Sequence, residues 1–145
     1  MYNFLLTTHY YLMVILLALL LFTVGRFFMN MRNDQPFTEF ERKQSLLVMI
    51  LTHVQLLLGL VIFFTGPALD LFSDMSSLMG NARYRLKFME HPLTMIIAVA
   101  LITIGHSRAK KMTDSKAKFK QIVIFYGIGL VLMAIRIPWK YISHG

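Results

Sequence analysis

Four apolar runs, each about as long as a bilayer is thick, leave this chain few folds to choose from. They cover approximately residues 5–28, 45–64, 86–105 and 121–139. A hydrocarbon core of ~30 Å takes roughly 20 helical residues to cross, and a helix satisfies every backbone polar group within its own segment. The first run contains LMVILLALLLFTVG, the second is SLLVMILTHVQLLLGLVIFF, the third centres on PLTMIIAVALITIG, and the fourth, QIVIFYGIGLVLMAIRIPW, carries one charge, Arg136. The connections between them are short, so consecutive helices are expected to run antiparallel. The expected fold is therefore all-α, an integral membrane up-down four-helix bundle made of one transmembrane domain, residues 1–145.

Composition narrows the chemistry. With 57% hydrophobic and 15% charged residues the chain departs from soluble domains on both counts. The same numbers argue against disorder. Absence of cysteine removes disulfides, iron–sulfur clusters, thiolate zinc sites and cysteine nucleophiles. The first run follows no lysine or arginine and precedes no small-x-small cleavage site, so it reads as a retained span rather than a cleaved signal.

The net charge of +8 has a topological reading. Arg26, Arg32, Arg42 and Lys43 flank the first connection, and Arg108, Lys110, Lys111, Lys116, Lys118 and Lys120 flank the third. Arg83, Arg85, Lys87, Arg136 and Lys140 belong to the other side. The positive-inside rule then places both termini away from the cytoplasm, on the periplasmic side of a bacterial inner membrane. Membrane lipids are the expected partners of these charges. Nucleic acid is not, because the charges flank spans and no aromatic platform is interleaved with them.

Two connections carry local signals. Thr38-x-x-Glu41 is a capping box that should start the second helix before the bilayer. Between spans two and three, Leu69, Phe72, Met75, Leu78 and Met79 recur at helical spacing ahead of Gly80, which suits either a short interfacial helix or an irregular loop.

Ionisable groups at membrane depth are costly and mark function. His9 lies seventeen residues from Arg26 and His91 seventeen from Arg108, which puts both ~25 Å from the basic line at the helical rise. Arg136, sixteen residues from Lys120, falls at ~24 Å, and Glu90 neighbours His91. His53, ten residues from Lys43, lies at ~15 Å, near the bilayer middle. The first and third helices of an up-down bundle are diagonal, so His9 and His91 are expected to face each other across the core, a geometry that can hold a haem iron axially. Thr94, Met95, Ala98 and Gly105 lie along the His91 face, and the small residues among them leave room either for a flat macrocycle or for close helix packing. Arg136 could neutralise a haem propionate, pair with Glu90, or snorkel into the interface. His53 is either a third candidate ligand or a neutral histidine bonded to a neighbour, for which Gln55 and Tyr126 are the available groups. His106 reads as interfacial and His144 as a tail residue. Phosphate loops, H-E-x-x-H, G-x-S-x-G and acidic metal clusters do not occur.

HVQLLLGLVIFF, KFMEHPLTMIIAVALITIGHSRAKK and IFYGIGLVLMAIRIPW together make the chain resemble small four-span bacterial inner-membrane proteins labelled cytochrome B. The second and third spans also resemble, more distantly, one four-helix half of haem A synthase. The resemblance implies a b-type haem held by histidines of the bundle, with His9, His53 and His91 on the pattern positions. It departs from the haem A synthase half in having no histidine on the fourth span. Two functions are expected from these observations: a haem-binding, cytochrome-like protein of electron transfer or a respiratory complex, or a cofactor-free accessory subunit or assembly factor of a larger membrane complex. Either is an electron-transfer or accessory role rather than a stand-alone enzyme. Other membrane subunits and a quinone are the further candidate partners.

Overall fold

The structure, a computed structural model, describes residues 1–139; Lys140 and His144 lie outside the described residues. Long helices occupy Tyr2–Arg32 (α1) and Glu39–Thr65 (α2). Three short helices, Ala68–Phe72 (α3), Met75–Gly80 (α4) and Ala82–Arg85 (α5), lead through a π-helical turn, Leu86–Glu90, into α6, His91–Lys110. The last helix, α7, is Ser115–Arg136. Among the described residues, four helical segments are long and apolar enough to cross a membrane: 2–32, 39–65, 82–110 and 115–136. Their outward faces carry large apolar side chains such as Leu21, Leu57, Leu93 and Val131, all more than half exposed. An apolar surface this extensive needs lipid around it, and the chain is a multi-pass membrane protein.

The helices close into a ring. α1 packs on α2 and α7, and α6 packs on α2 and α7, which leaves α1 and α6 on one diagonal as expected. Leu16, Leu20, Val48, Ile102, Ile122, Tyr126 and Met133 fill the interior between them. At the basic end Phe27, Phe37 and Phe119 form a triangle of edge-on rings with centres 5.0–5.9 Å apart. The Phe37 amide donates to Ser115 Oγ at 2.9 Å and Lys116 reaches Asp34 at 3.6 Å, so the first and third connections are tied together at that end.

α6 and α7 approach most closely because their contact faces lack side-chain bulk. The Phe125 side chain occupies the space where a Cβ on Gly105 would stand, and a Cβ on Gly129 would meet Ile102 at 2.8 Å. Ala98 is fully buried in the same face. Ala98 and Gly105 of α6 thus serve close helix packing against α7.

Helix ends follow sequence signals, with differences from expectation. The Thr38–Glu41 box forms: the Thr38 amide and hydroxyl both donate to Glu41 Oε1, at 3.2 and 2.8 Å, and Arg26 donates to Glu41 Oε2 at 3.2 Å. α7 stops at Arg136, three residues before the expected end at Trp139, because Pro138 drives Ile137 into extended backbone (φ −71°, ψ 132°). The connection between spans two and three is neither one interfacial helix nor an irregular loop. Asp74 and Asn81 interrupt it by accepting hydrogen bonds from backbone amides of the following turn, each starting a new short helix. Of the apolar residues expected to face the membrane there, Leu78 is buried, whereas Leu69, Met75 and Met79 are exposed.

Candidate functional site

Pro92 decides how α6 begins. Its ring nitrogen has no hydrogen to donate to the carbonyl four residues back, and its ring crowds that carbonyl. The chain responds by widening one turn: the His91 amide bonds to Leu86 O, five residues back. His91 emerges at the end of this turn. It stands on the stripe continued by Ala98, Ile102, Gly105 and Ala109, all buried, so its ring points into the bundle.

His9 arrives from the opposite corner. The two imidazole centres lie 6.3 Å apart with planes at 88°, so the level pair inferred from counting residues is present. Two imidazoles binding one metal from opposite sides at ~2 Å per bond have ring centres roughly 6 Å apart. Direct edge-on ring contact spans similar distances, so the hydrogen-bonding state of each ring carries more information than the separation.

His91 Nδ1 lies 3.0 Å from the carbonyl oxygen of Arg136. A carbonyl only accepts, which fixes the hydrogen on Nδ1 and leaves the Nε2 lone pair for a ligand. The acceptor exists because α7 ends there. The last carbonyls of a helix lack intrahelical partners; here Ala134 O receives the Trp139 indole N–H at 2.7 Å and Arg136 O receives His91. The stop at Ile137–Pro138 therefore sets the tautomer of His91.

His9 is held from α2. Gln55 Nε2 donates to the His9 carbonyl at 2.8 Å, and Gly59 faces the ring so closely that a Cβ would stand 3.2 Å from His9 Cε1. His9 Nδ1 is buried with no hydrogen-bond partner among the described residues. Such a group costs about 1–3 kcal/mol.

The remaining candidates are elsewhere. His53 Nδ1 donates to Met49 O at 2.8 Å, and its Nε2 lies 3.2 Å from Thr103 Oγ1 on α6. Both nitrogens are engaged, and the neighbour is Thr103 rather than Gln55 or Tyr126. Arg136 belongs to the layer of His9 and His91 through its carbonyl; its guanidinium is exposed and makes no hydrogen bond or ion pair among the described residues. Glu90 pairs with Arg85 at 3.4 Å, not with Arg136.

His106 corrects the interfacial reading. It is 8% exposed and its Nδ1 lies 2.7 Å from Ser45 Oγ. Ser45 Oγ is 3.0 Å from Tyr126 Oη, which donates to Ser45 O at 2.8 Å. One assignment uses each hydrogen once: His106 Nδ1–H to Ser45 Oγ, the Ser45 hydroxyl to Tyr126, the Tyr126 hydroxyl to the Ser45 carbonyl. This node joins α2, α6 and α7. Its signal in the sequence was the stripe Ala98, Ile102, Gly105/His106, Ala109, which puts His106 on the buried side.

No group of three or more metal-ligating side chains occurs among the described residues. Two imidazoles fall short of the three or four protein ligands of a zinc site. They match the axial set of a haem iron, whose macrocycle supplies the other nitrogens. Fold and site together define a four-span membrane bundle with a diagonal, half-buried imidazole pair. No family model, curated protein or solved structure matches the chain.

Proposed function

We propose that this chain is a b-type haem-binding, cytochrome-like protein of a bacterial inner membrane, with both termini on the periplasmic side, acting in electron transfer or within a respiratory complex. The observation that carries this reading is the His9–His91 pair on diagonal helices, 6.3 Å apart, one ring with its Nδ1 hydrogen committed to Arg136 O and the other with a buried Nδ1 lacking any partner among the described residues. In this reading His9 and His91 would hold the iron, and the free guanidinium of Arg136 would pair with a propionate. Bound haem supplies reversible one-electron chemistry at iron. The residues supply the rest: Gln55 and Gly59 position His9, Arg136 O keeps the His91 lone pair on Nε2, and the apolar helices exclude water. The ten basic residues grouped at the opposite end orient the bundle.

Protein purified from haem-replete cells should show a Soret band and a split α band after dithionite reduction. His9→Ala and His91→Ala should each abolish it, and His53→Ala and His106→Ala should retain it. A colourless wild-type preparation refutes the proposal.

One observation favours a second reading. His53 and His106 both serve as hydrogen-bond partners between helices, as expected of a cofactor-free accessory subunit or assembly factor. Under that reading the colourless protein co-purifies stoichiometrically with another membrane subunit in mild detergent.

A further inference from the structure

At the basic end, on the side away from the histidine pair, a cleft of about 100 Å³ opens between α2, α6 and α7. Its cations are Arg42, Lys110 and Lys118, its apolar wall includes Phe37 and Ile122, and His106 also lines it. No acidic residue lines it. Carboxylates of the adjoining segments are committed: Glu39 chelates Arg42 at 2.6 and 2.9 Å, Asp34 pairs with Lys116, and Asp114 caps the Ala117 amide. Glu39 offsets Arg42, so the uncompensated charge in the cleft is that of Lys110 and Lys118. The Lys118 ammonium is placed over the Phe37 ring at 5.4 Å.

The first turns of α7 carry Lys116, Lys118 and Lys120, with the Asp114 cap as the carboxylate of that end, so the end of the helix beside the cleft is positive on balance and favours added negative charge.

We propose that this cleft binds a phosphate group, Lys110 and Lys118 supplying the charge and Arg42 the rim. Basic pockets between membrane helices hold anionic lipid headgroups in this way. Free phosphate presents the same oxygens. The proposal stands independently of haem binding.

The test measures binding of phosphatidylglycerol, phosphatidylcholine and inorganic phosphate to the purified full-length protein in detergent, by native mass spectrometry and thermal shift. Phosphatidylglycerol should be retained in preference to phosphatidylcholine, and Lys110→Gln/Lys118→Gln should weaken it ~30-fold, from the roughly fivefold contribution of each cation near a lipid surface. Lys111→Gln/Lys120→Gln, which removes the same charge from the same end outside the cleft, should change it less than threefold. Lys110→Arg/Lys118→Arg should keep it, and if the double Gln variant does not fold, each single Gln variant should lose about fivefold. Protection by inorganic phosphate alone, lost in the Lys110/Lys118 variants, supports the site with free phosphate as its ligand. Equal losses in the two double Gln variants, or equal retention of the two lipids with no protection by inorganic phosphate, overturn it.

Discussion

The position of His9 rests on the absence of a side chain at residue 59, and this can be tested by filling it. A Cβ on Gly59 would stand 3.2 Å from His9 Cε1, inside the ~3.5–4.0 Å optimum of carbon contacts. Alanine asks the ring to yield a few tenths of an ångström. Valine extends about 1.5 Å further with two methyl groups, and its helix rotamer is nearly fixed, so the imidazole must swing out of line or the helices must part. Overpacking of this kind costs about 1–3 kcal/mol, and 1.4 kcal/mol is a tenfold change in affinity. Gly59→Val should therefore lower haem retention roughly 5- to 150-fold and lower the melting temperature in detergent, with Gly59→Ala intermediate. Gly25 on α1 has nothing within 4 Å of its would-be Cβ, so Gly25→Val should do neither. The assay is the Soret-to-protein ratio after size exclusion, read beside thermal unfolding. Wild-type haem content and stability in Gly59→Val, or equal losses in Gly25→Val, refute the packing argument.

Three other expectations follow from the same structure. Ser45→Ala takes the acceptor from His106 Nδ1 and should destabilise by about 1–3 kcal/mol, whereas Tyr126→Phe should cost about 0.6–1.7 kcal/mol, the range for hydrogen bonds between membrane helices; chemical unfolding in mixed micelles measures both, and the reverse order would show that the node is not organised around Ser45. Glu41→Gln leaves Arg26 without its carboxylate and weakens the cap on α2, so thermal shift should report a loss that Glu39→Gln, on an exposed pair, does not match. Hydrogen bonds from Ser77 and Ser76 hold the Asp74 carboxyl below its ordinary 3.8, so its contribution to α4 is complete above that value and disappears as pH falls through the lower folded one; pepsin cleavage near Asp74 should rise across that acid range in the wild type and be elevated throughout in Asp74→Ala.

The architecture was legible because its determinant is one-dimensional. Span length and basic flanks do not depend on which helix touches which, and counting residues from those flanks brought His9, His91 and Arg136 to one layer without any contact being known. What could not be read was contact-dependent. His106 sits one turn inside a basic flank, and only the packing of α6 on α7 turns its ring toward Ser45 instead of water. Ala98 and Gly105 suited a macrocycle or a neighbouring helix equally well until Phe125 was seen against Gly105. The pairing of His53 with Thr103 has no signature in spacing, because the hydroxyl stands on another helix. Likewise the breaks at Asp74 and Asn81 depend on local competition between side chains and backbone amides, which a hydrophobic period does not register.

The end of α7 has a use beyond stopping a helix. Pro138 leaves the Arg136 carbonyl unclaimed, and His91, on another helix, depends on that carbonyl for the placement of its hydrogen. Chain termination in one segment and proton bookkeeping in another are thus a single inherited trait. Were Pro138 replaced so that α7 wound on for another turn, the new turn would claim the carbonyl for its own amide, and the imidazole would be free to exchange tautomers although no atom of it had been altered. The stop signal of the fourth span acts at a distance on the third.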